Sequence, residues 1–262
     1  MHVSGIYIYP IKSCRGIPIT SARVQDIGLE HDRRYMVVDA ENRFLSQREC
    51  PAMARVGLSQ TSTGWSLSRV DLPTFRWDPA QYGTESTVQI WNDAVTVVDQ
   101  GEAVAAWFST ALGRPCRLVG FAPGVRRLVD SAFAVEEQDA VSFADGYASL
   151  LVTEASLTDL NTRTKEAVPM DRFRPNIVVA GATPWEEDHW RTVHIGAVAL
   201  VAVKKCARCV MTTIDQQTGE RHVEPLHTLA VFRQIGHGLM FGQNMIHRTS
   251  GIIRIGDPVI VE

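Results

Sequence analysis

Short runs of β-branched and aromatic residues, each stopped by proline, glycine or an Asn-Asp pair, make up most of this 262-residue chain. Runs of that length predict strands of a few residues joined by tight turns. Ile6-Tyr7-Ile8-Tyr9 is ended by Pro10. Residues 34–39 lead into a polar turn at Ala40-Glu41-Asn42-Arg43, and Phe44-Leu45-Ser46 is the expected hairpin partner. Residues 65–68 and 88–91 alternate as strands do. Segments 90–97, 194–200 and 254–260 each set Gly or Asn-Asp between two apolar runs, which predicts a turn. Their spacing is irregular, so they reflect recurrent turn chemistry and not a repeat array.

Helical periodicity is rarer. Val104, Trp107, Phe108, Ala111 and Leu112 share one helix face, with Gly113 as the stop. A second helix is expected from Thr153, as cap, to about Arg163, with Leu157 and Leu160 inward. A short third one follows Pro225 and uses Leu226 and Leu229. Residues 113–140 are mixed in character and serve as the expected junction between an N-terminal β-rich unit, 1–115, and a C-terminal one, 116–262. The fold class expected is α+β, mostly β, with barrel or sandwich packing. Doubly wound alternation, Gly-x-Gly-x-x-Gly and Gly-x-x-x-x-Gly-Lys are all missing, so a dinucleotide or P-loop site has no support.

The net charge of -3 argues against a general nucleic-acid binder. Cys14, Cys50, Cys116, Cys206 and Cys209 form an odd set without small-scaffold spacing, which argues against a secreted disulfide framework. The first five residues run directly into a strand pattern, leaving no room for a signal peptide, and no uncharged apolar run reaches membrane-spanning length. The expectation is a cytoplasmic, soluble protein with neither nucleic acid nor membrane as partner.

Chemistry concentrates at Lys204-Lys205-Cys206-Ala207-Arg208-Cys209. Nearby positive charge favours a thiolate, the form that acts as nucleophile or metal ligand. A structural zinc site needs about four ligands, and only one Cys-x-x-Cys is present. A thioredoxin-like dithiol opens a helix, whereas Val210-Met211-Thr212-Thr213-Ile214 reads as a strand. Two inert buried cysteines are the plain alternative. On a regular strand, positions three apart face opposite sides, so only one thiol is expected to point into a given site.

Cations recur at strand ends elsewhere. Lys12, Ser13 and Arg15 follow the first strand in a loop suited to an anion. Asp32-Arg33-Arg34-Tyr35, Ser46-Gln47-Arg48 and Phe173-Arg174-Pro175-Asn176 add to the pattern. Singly each arginine reads as a surface charge; together, in a net-acidic chain, they point to a phosphate-bearing ligand. Residues 184–190, with Glu186, Glu187, Asp188 and His189, read as a solvated loop.

In order, Tyr9-Pro10-Ile11-Lys12-Ser13-Cys14, Asp32-Arg33, Phe143-Ala144-Asp145-Gly146-Tyr147, Thr153-Glu154-Ala155-Ser156-Leu157, Phe173-Arg174-Pro175-Asn176, Cys206-Ala207-Arg208-Cys209 with Thr212-Thr213, and Phe241-Gly242-Gln243-Asn244 span nearly the whole chain. This set resembles the MOSC superfamily, in particular its members with an N-terminal β-barrel region, the bacterial YcbX-like proteins and the mitochondrial amidoxime-reducing component. The resemblance implies a β-barrel MOSC core, an N-terminal β-barrel-like region and a few helices.

It also implies a molybdenum cofactor (Mo-molybdopterin): a pterin dithiolene with a terminal phosphate, its metal held by a protein cysteine. Motif matching assigns that metal-ligating and catalytic role to Cys209. By the same matching Lys12, Ser13, Arg33, Arg174, Asn176 and Arg208 contact the pterin and its phosphate, with Arg48 and Asp145 added. The implied activity is reduction of small N-oxygenated substrates. A separate ferredoxin, flavodoxin or cytochrome b5 type protein is the implied donor, because no fused ferredoxin follows residue 262. At superfamily level alone the resemblance also carries pyridoxal phosphate binding. Two other readings stand beside it: a non-catalytic cofactor carrier or sulfur-transfer module using Cys209 or Cys206, and a metal-free redox dithiol protein.

Overall fold

The structure, a computed structural model, describes residues 1–80 and 83–262. Strands dominate it, with α-helices at Glu102–Leu112, Glu154–Asn161 and Leu226–Phe232. The α+β, mostly β class is what the molecule shows.

Its largest sheet runs, in spatial order, Ile17–Ile19, His2–Ile8, Ile177–Ala180, Ser149–Thr153, Gly238–His247, Val198–Arg208, Thr192–Ile195 and Val259–Val261. All neighbours are antiparallel except Ser149–Thr153 with Ile177–Ala180, which the helix Glu154–Asn161 connects. A bridge from His2 to Pro258, with Val3 N–H donating to Asp257 O at 2.9 Å, joins the first strand to the last. The sheet thereby closes on itself as a barrel, with Ile17–Ile19 left paired on one side only.

A four-stranded antiparallel sheet is ordered Tyr35–Val38, Arg117–Phe121, Asp93–Asp99, Glu85–Ile90. Tyr35–Val38 therefore pairs chiefly with a strand 80 residues on. The expected partner does fold back antiparallel, as a single bridge between Val38 and Phe44, with Asp39 N–H donating to Arg43 O at 2.9 Å and Leu45 N–H to Val37 O at 2.8 Å. Turns at 91–92 and 196–197 make two-residue hairpins, whereas the turn at 255–258 passes the chain between two sheets.

The helices follow their sequence signals. Val104, Phe108, Ala111 and Leu112 are buried along one face of Glu102–Leu112, and Gly113 closes it in the left-handed conformation at φ 68°. Thr153 Oγ1 accepts from Ser156 N–H at 3.2 Å, capping the second helix.

One expectation is overturned. Glu187 is fully buried, not solvated, and accepts from Thr153 Oγ1 at 3.0 Å and Ser156 Oγ at 2.8 Å. Burial pushes its carboxyl above the ordinary range. Asp188 beside it pairs with Lys205 at 2.9 Å and Arg233 at 2.7 Å. The acidic turn is thus a tether to the strand that carries Cys206.

Candidate active site

At the ends of the barrel strands His2–Ile8, Ile177–Ala180 and Val198–Arg208 lies a cleft of about 320 Å³. Lys12, Arg33, Arg172, Arg174, Lys204, Lys205 and Arg208 line it, against a single carboxylate, Asp145. Ser13, Arg33 and Arg174 hold left-handed backbone at φ 66°, 49° and 52°. Such conformations cost about 1–3 kcal/mol each and persist where function needs them.

Tyr9 organises the cationic wall. Its ring is flanked by the guanidinium of Arg33 at 4.4 Å and that of Arg174 at 4.2 Å. Burial raises its phenol far above the ordinary value, so it stays a neutral donor to Pro175 O at 3.0 Å. Burial also lowers Arg174, to about 10, while Arg33 keeps its charge because the buried Asp32 carboxylate, 2.6 Å away, overrules desolvation. Asn176 is committed on both sides of its amide. Its Oδ1 accepts from Arg33 at 3.0 Å and Leu150 N–H at 3.2 Å, and its Nδ2 donates to Tyr7 O at 3.1 Å. Although it lines the cleft, it therefore fixes Arg33 and the strands.

Opposite stands the loop carrying Asp145. Phe143 anchors it by stacking on Phe121 at 4.0 Å, while its N–H donates to Arg33 O at 2.9 Å. Arg127 braces it from behind, donating to Ser142 O at 3.1 Å and Ala144 O at 2.6 Å and pairing with Asp93 at 2.6 Å. Lys12 donates to Phe143 O at 2.8 Å and to the Asp145 carboxylate. Burial pushes the Lys12 ammonium down to about 8, with Asp145 opposing the shift. Partial desolvation raises the half-exposed Asp145 carboxyl, but the charges of Lys12 and Arg48 win and hold it well below the usual range.

Both thiols line this cleft. Val198–Arg208 is not the regular strand on which only one of the two thiols is expected to face a given site. Its register slips between Lys205 and Ala207, and the strand stops at Arg208, leaving Cys209 to begin the turn Val210–Thr213. Arg208 donates to Cys206 Sγ at 2.9 Å and to Phe173 O at 2.7 Å. Arg48 donates to Cys209 Sγ at 3.3 Å. Cys14 is different: fully buried, its thiol is pushed up to about 12, which leaves it inert.

Of the residues expected at the site, Lys12, Ser13, Arg33, Asp145, Arg174, Asn176, Arg208 and Cys209 line the cleft. Arg48 does not, and reaches its rim through Asp145 and Cys209. Sequence reasoning missed Arg172, whose signal was its place two residues before Arg174. It also missed Gln216, which exchanges two 3.0 Å hydrogen bonds with Gln47 and accepts from Arg174 at 3.3 Å. Nothing in the sequence marked Arg127, whose partners are mostly backbone carbonyls.

A barrel whose strand ends set two free cysteines at a cation-lined cleft is the class of protein that the fold and site define. The comparisons place it. Residues 1–115 match the MOSC N-terminal beta barrel domain and residues 138–260 the MOSC domain, so this chain belongs to the MOSC family. Mitochondrial amidoxime-reducing component 1 of Homo sapiens is 33% identical over 276 residues, covering 98% of this chain and 82% of that protein. Its counterpart in Mus musculus is 34% identical over 277 residues, covering 98% and 81%. A molybdenum cofactor sulfurase of Oryza sativa subsp. japonica is 31% identical over 268 residues, covering 92% of this chain and 32% of that protein. Among the described residues no helix is long and apolar enough to cross a membrane.

Proposed function

We propose that this chain is a reductase of small N-oxygenated compounds that binds a molybdenum cofactor through Cys209 and takes electrons from a separate donor protein of ferredoxin, flavodoxin or cytochrome b5 type. The observation that carries the reading is Cys209 at the rim of a cleft lined by Lys12, Arg33, Arg172, Arg174 and Arg208, with Asp145 the one lining carboxylate among the described residues. The printed names of the relatives support it.

The residues present fit such a group. Among the described residues, the buried Nε–H groups of Arg172 and Arg208 and the buried Nη1 of Arg48 have no hydrogen-bond partner. Buried unpaired donors are costly, and an anionic ligand satisfies them. Arg33, Arg174 and Arg208, with Lys12 and Ser13, hold the phosphate-bearing pterin in this reading, and Cys209 is the soft ligand to the metal. When bound, the group supplies the two-electron redox chemistry that removes oxygen from the substrate.

The protein's own part is positioning. Arg48 orients the Cys209 sulfur, and Asp145 keeps a negative, half-exposed oxygen beside it to receive a polar substrate hydrogen. We place these residues in a chain organised as 1–115 and 116–262. A second reading, a cofactor carrier or sulfur-transfer module, draws on Cys206, which Arg208 contacts at 2.9 Å, and on the rice sulfurase similarity.

Protein purified from a host that makes the cofactor is expected to contain molybdenum and pterin near one per chain, and to oxidise a chemical electron donor only when an amidoxime is added. Zinc in place of molybdenum refutes the proposal. A loaded protein without turnover leaves the carrier reading.

A further inference from the structure

We infer that Trp91 is a specificity-determining residue: its ring is the wall on which a flat aromatic group of the substrate stacks. The inference rests on the reductase reading above.

Trp91 is the first of two residues joining Glu85–Ile90 to Asp93–Asp99, with Ile90 and Asp93 paired across the turn. Its φ is 54°. Two-residue hairpins that need positive φ at this position select glycine, and tryptophan there is strained. Core packing does not compensate, since the residue stays 42% exposed. Strain retained at an exposed aromatic marks a position kept for something other than the turn itself.

What Trp91 touches supplies the direction. Phe44 leans on it at 4.9 Å, and the Arg48 guanidinium lies over its ring at 4.8 Å. The same guanidinium is 3.3 Å from both Cys209 Sγ and Asp145 Oδ2. Neither Arg48 nor Trp91 lines the cleft that would hold the cofactor. Arg48 therefore links the Trp91 ring directly to Cys209 and Asp145, at the edge of that cleft. Arg48 covers part of this ring, and the exposed remainder is the surface offered to a flat substrate group. The substrate's N-oxygenated end is then directed to Asp145 and Arg48 while its aryl group lies along Trp91.

The test compares full-length wild type, Trp91→Gly and Trp91→Phe, purified from a cofactor-making host. The probes are two N-hydroxylated amidines, one aryl and one alkyl. Glycine suits the turn, so it removes the ring without straining the backbone. The aryl-to-alkyl ratio of kcat/KM is expected to fall about five- to tenfold in Trp91→Gly, through the KM of the aryl probe. Trp91→Phe restores most of the ratio, and molybdenum content is the same in all three. An unchanged ratio overturns the inference. If wild type reduces neither probe, the reductase reading fails, and equilibrium binding of the unhydroxylated aryl amidine decides the role of Trp91. Binding weakened severalfold in Trp91→Gly sustains it, and equal binding overturns it.

Discussion

The Lys12 ammonium donates to the Asp145 carboxylate across 133 positions of sequence, with the amine buried and the carboxylate half exposed. Burial dominates the amine, placing it at about 8 in the folded state against 10.5 as its ordinary value. The folded protein therefore holds fewer protons than the unfolded chain between those values, and linkage makes stability rise with pH across that window. Urea unfolding of wild type and Lys12→Met is expected to show wild type gaining on the variant from pH 8 to pH 10. In the proposed reading, affinity for the pterin phosphate moves the other way, falling as pH passes 8 and the ammonium is lost. A constant stability difference between the two proteins contradicts this.

The Tyr9 ring holds two guanidinium groups, Arg33 at 4.4 Å and Arg174 at 4.2 Å. Tyr9→Phe keeps the ring and loses only the bond to Pro175 O, so about 1 kcal/mol of stability is expected to go. Tyr9→Leu removes the π face from both guanidinium groups as well and should cost about 2–4 kcal/mol. Chemical denaturation of both variants checks the order, and equal losses refute it.

Arg127→Met strips the donors from Ser142 O and Ala144 O and unpairs Asp93. Leaving such buried acceptors without partners costs about 2–4 kcal/mol. Because the Asp145 loop is what Arg127 braces, hydrogen exchange at 142–146 should accelerate ahead of global unfolding. Acceleration spread evenly over the barrel contradicts the local role.

Gly242 lies in Gly238–His247 at φ 78°, where an added Cβ would stand 2.6 Å from Val152 Cγ1 and 2.8 Å from Leu151 O. Backbone cannot yield as a flexible side chain does. Gly242→Ala is expected to lose about 2–4 kcal/mol, read by thermal or urea unfolding. A loss under about 0.5 kcal/mol would contradict the close approach of the two strands.

What was legible in the sequence was local. Pro10 ending an aromatic strand marks the loop that delivers Lys12 and Ser13, and Thr153 and Gly113 mark helix ends. Resemblance, not spacing, singled out Cys209. Long-range pairing was not legible. Arg117–Phe121 pairs with Tyr35–Val38 through backbone hydrogen bonds, and Asp145 meets Arg48 and Lys12; both unite residues too far apart for local patterns to connect. Turn and periodicity rules also assume regular strands, so the slip at Lys205–Ala207 that brings both thiols to one cleft left no mark in the pattern. Glu187 was misread for a similar reason: its hydroxyl partners lie 31 and 34 residues away.

The role of Cys209 is the central claim, and metal content tests it most directly. Wild type, Cys209→Ala and Cys206→Ala are to be purified from a cofactor-making host and assayed for molybdenum per folded chain, with circular dichroism confirming the fold. The account predicts that Cys209→Ala loses the metal while Cys206→Ala keeps most of it. Equal loss from both variants, or full retention by Cys209→Ala, would contradict it.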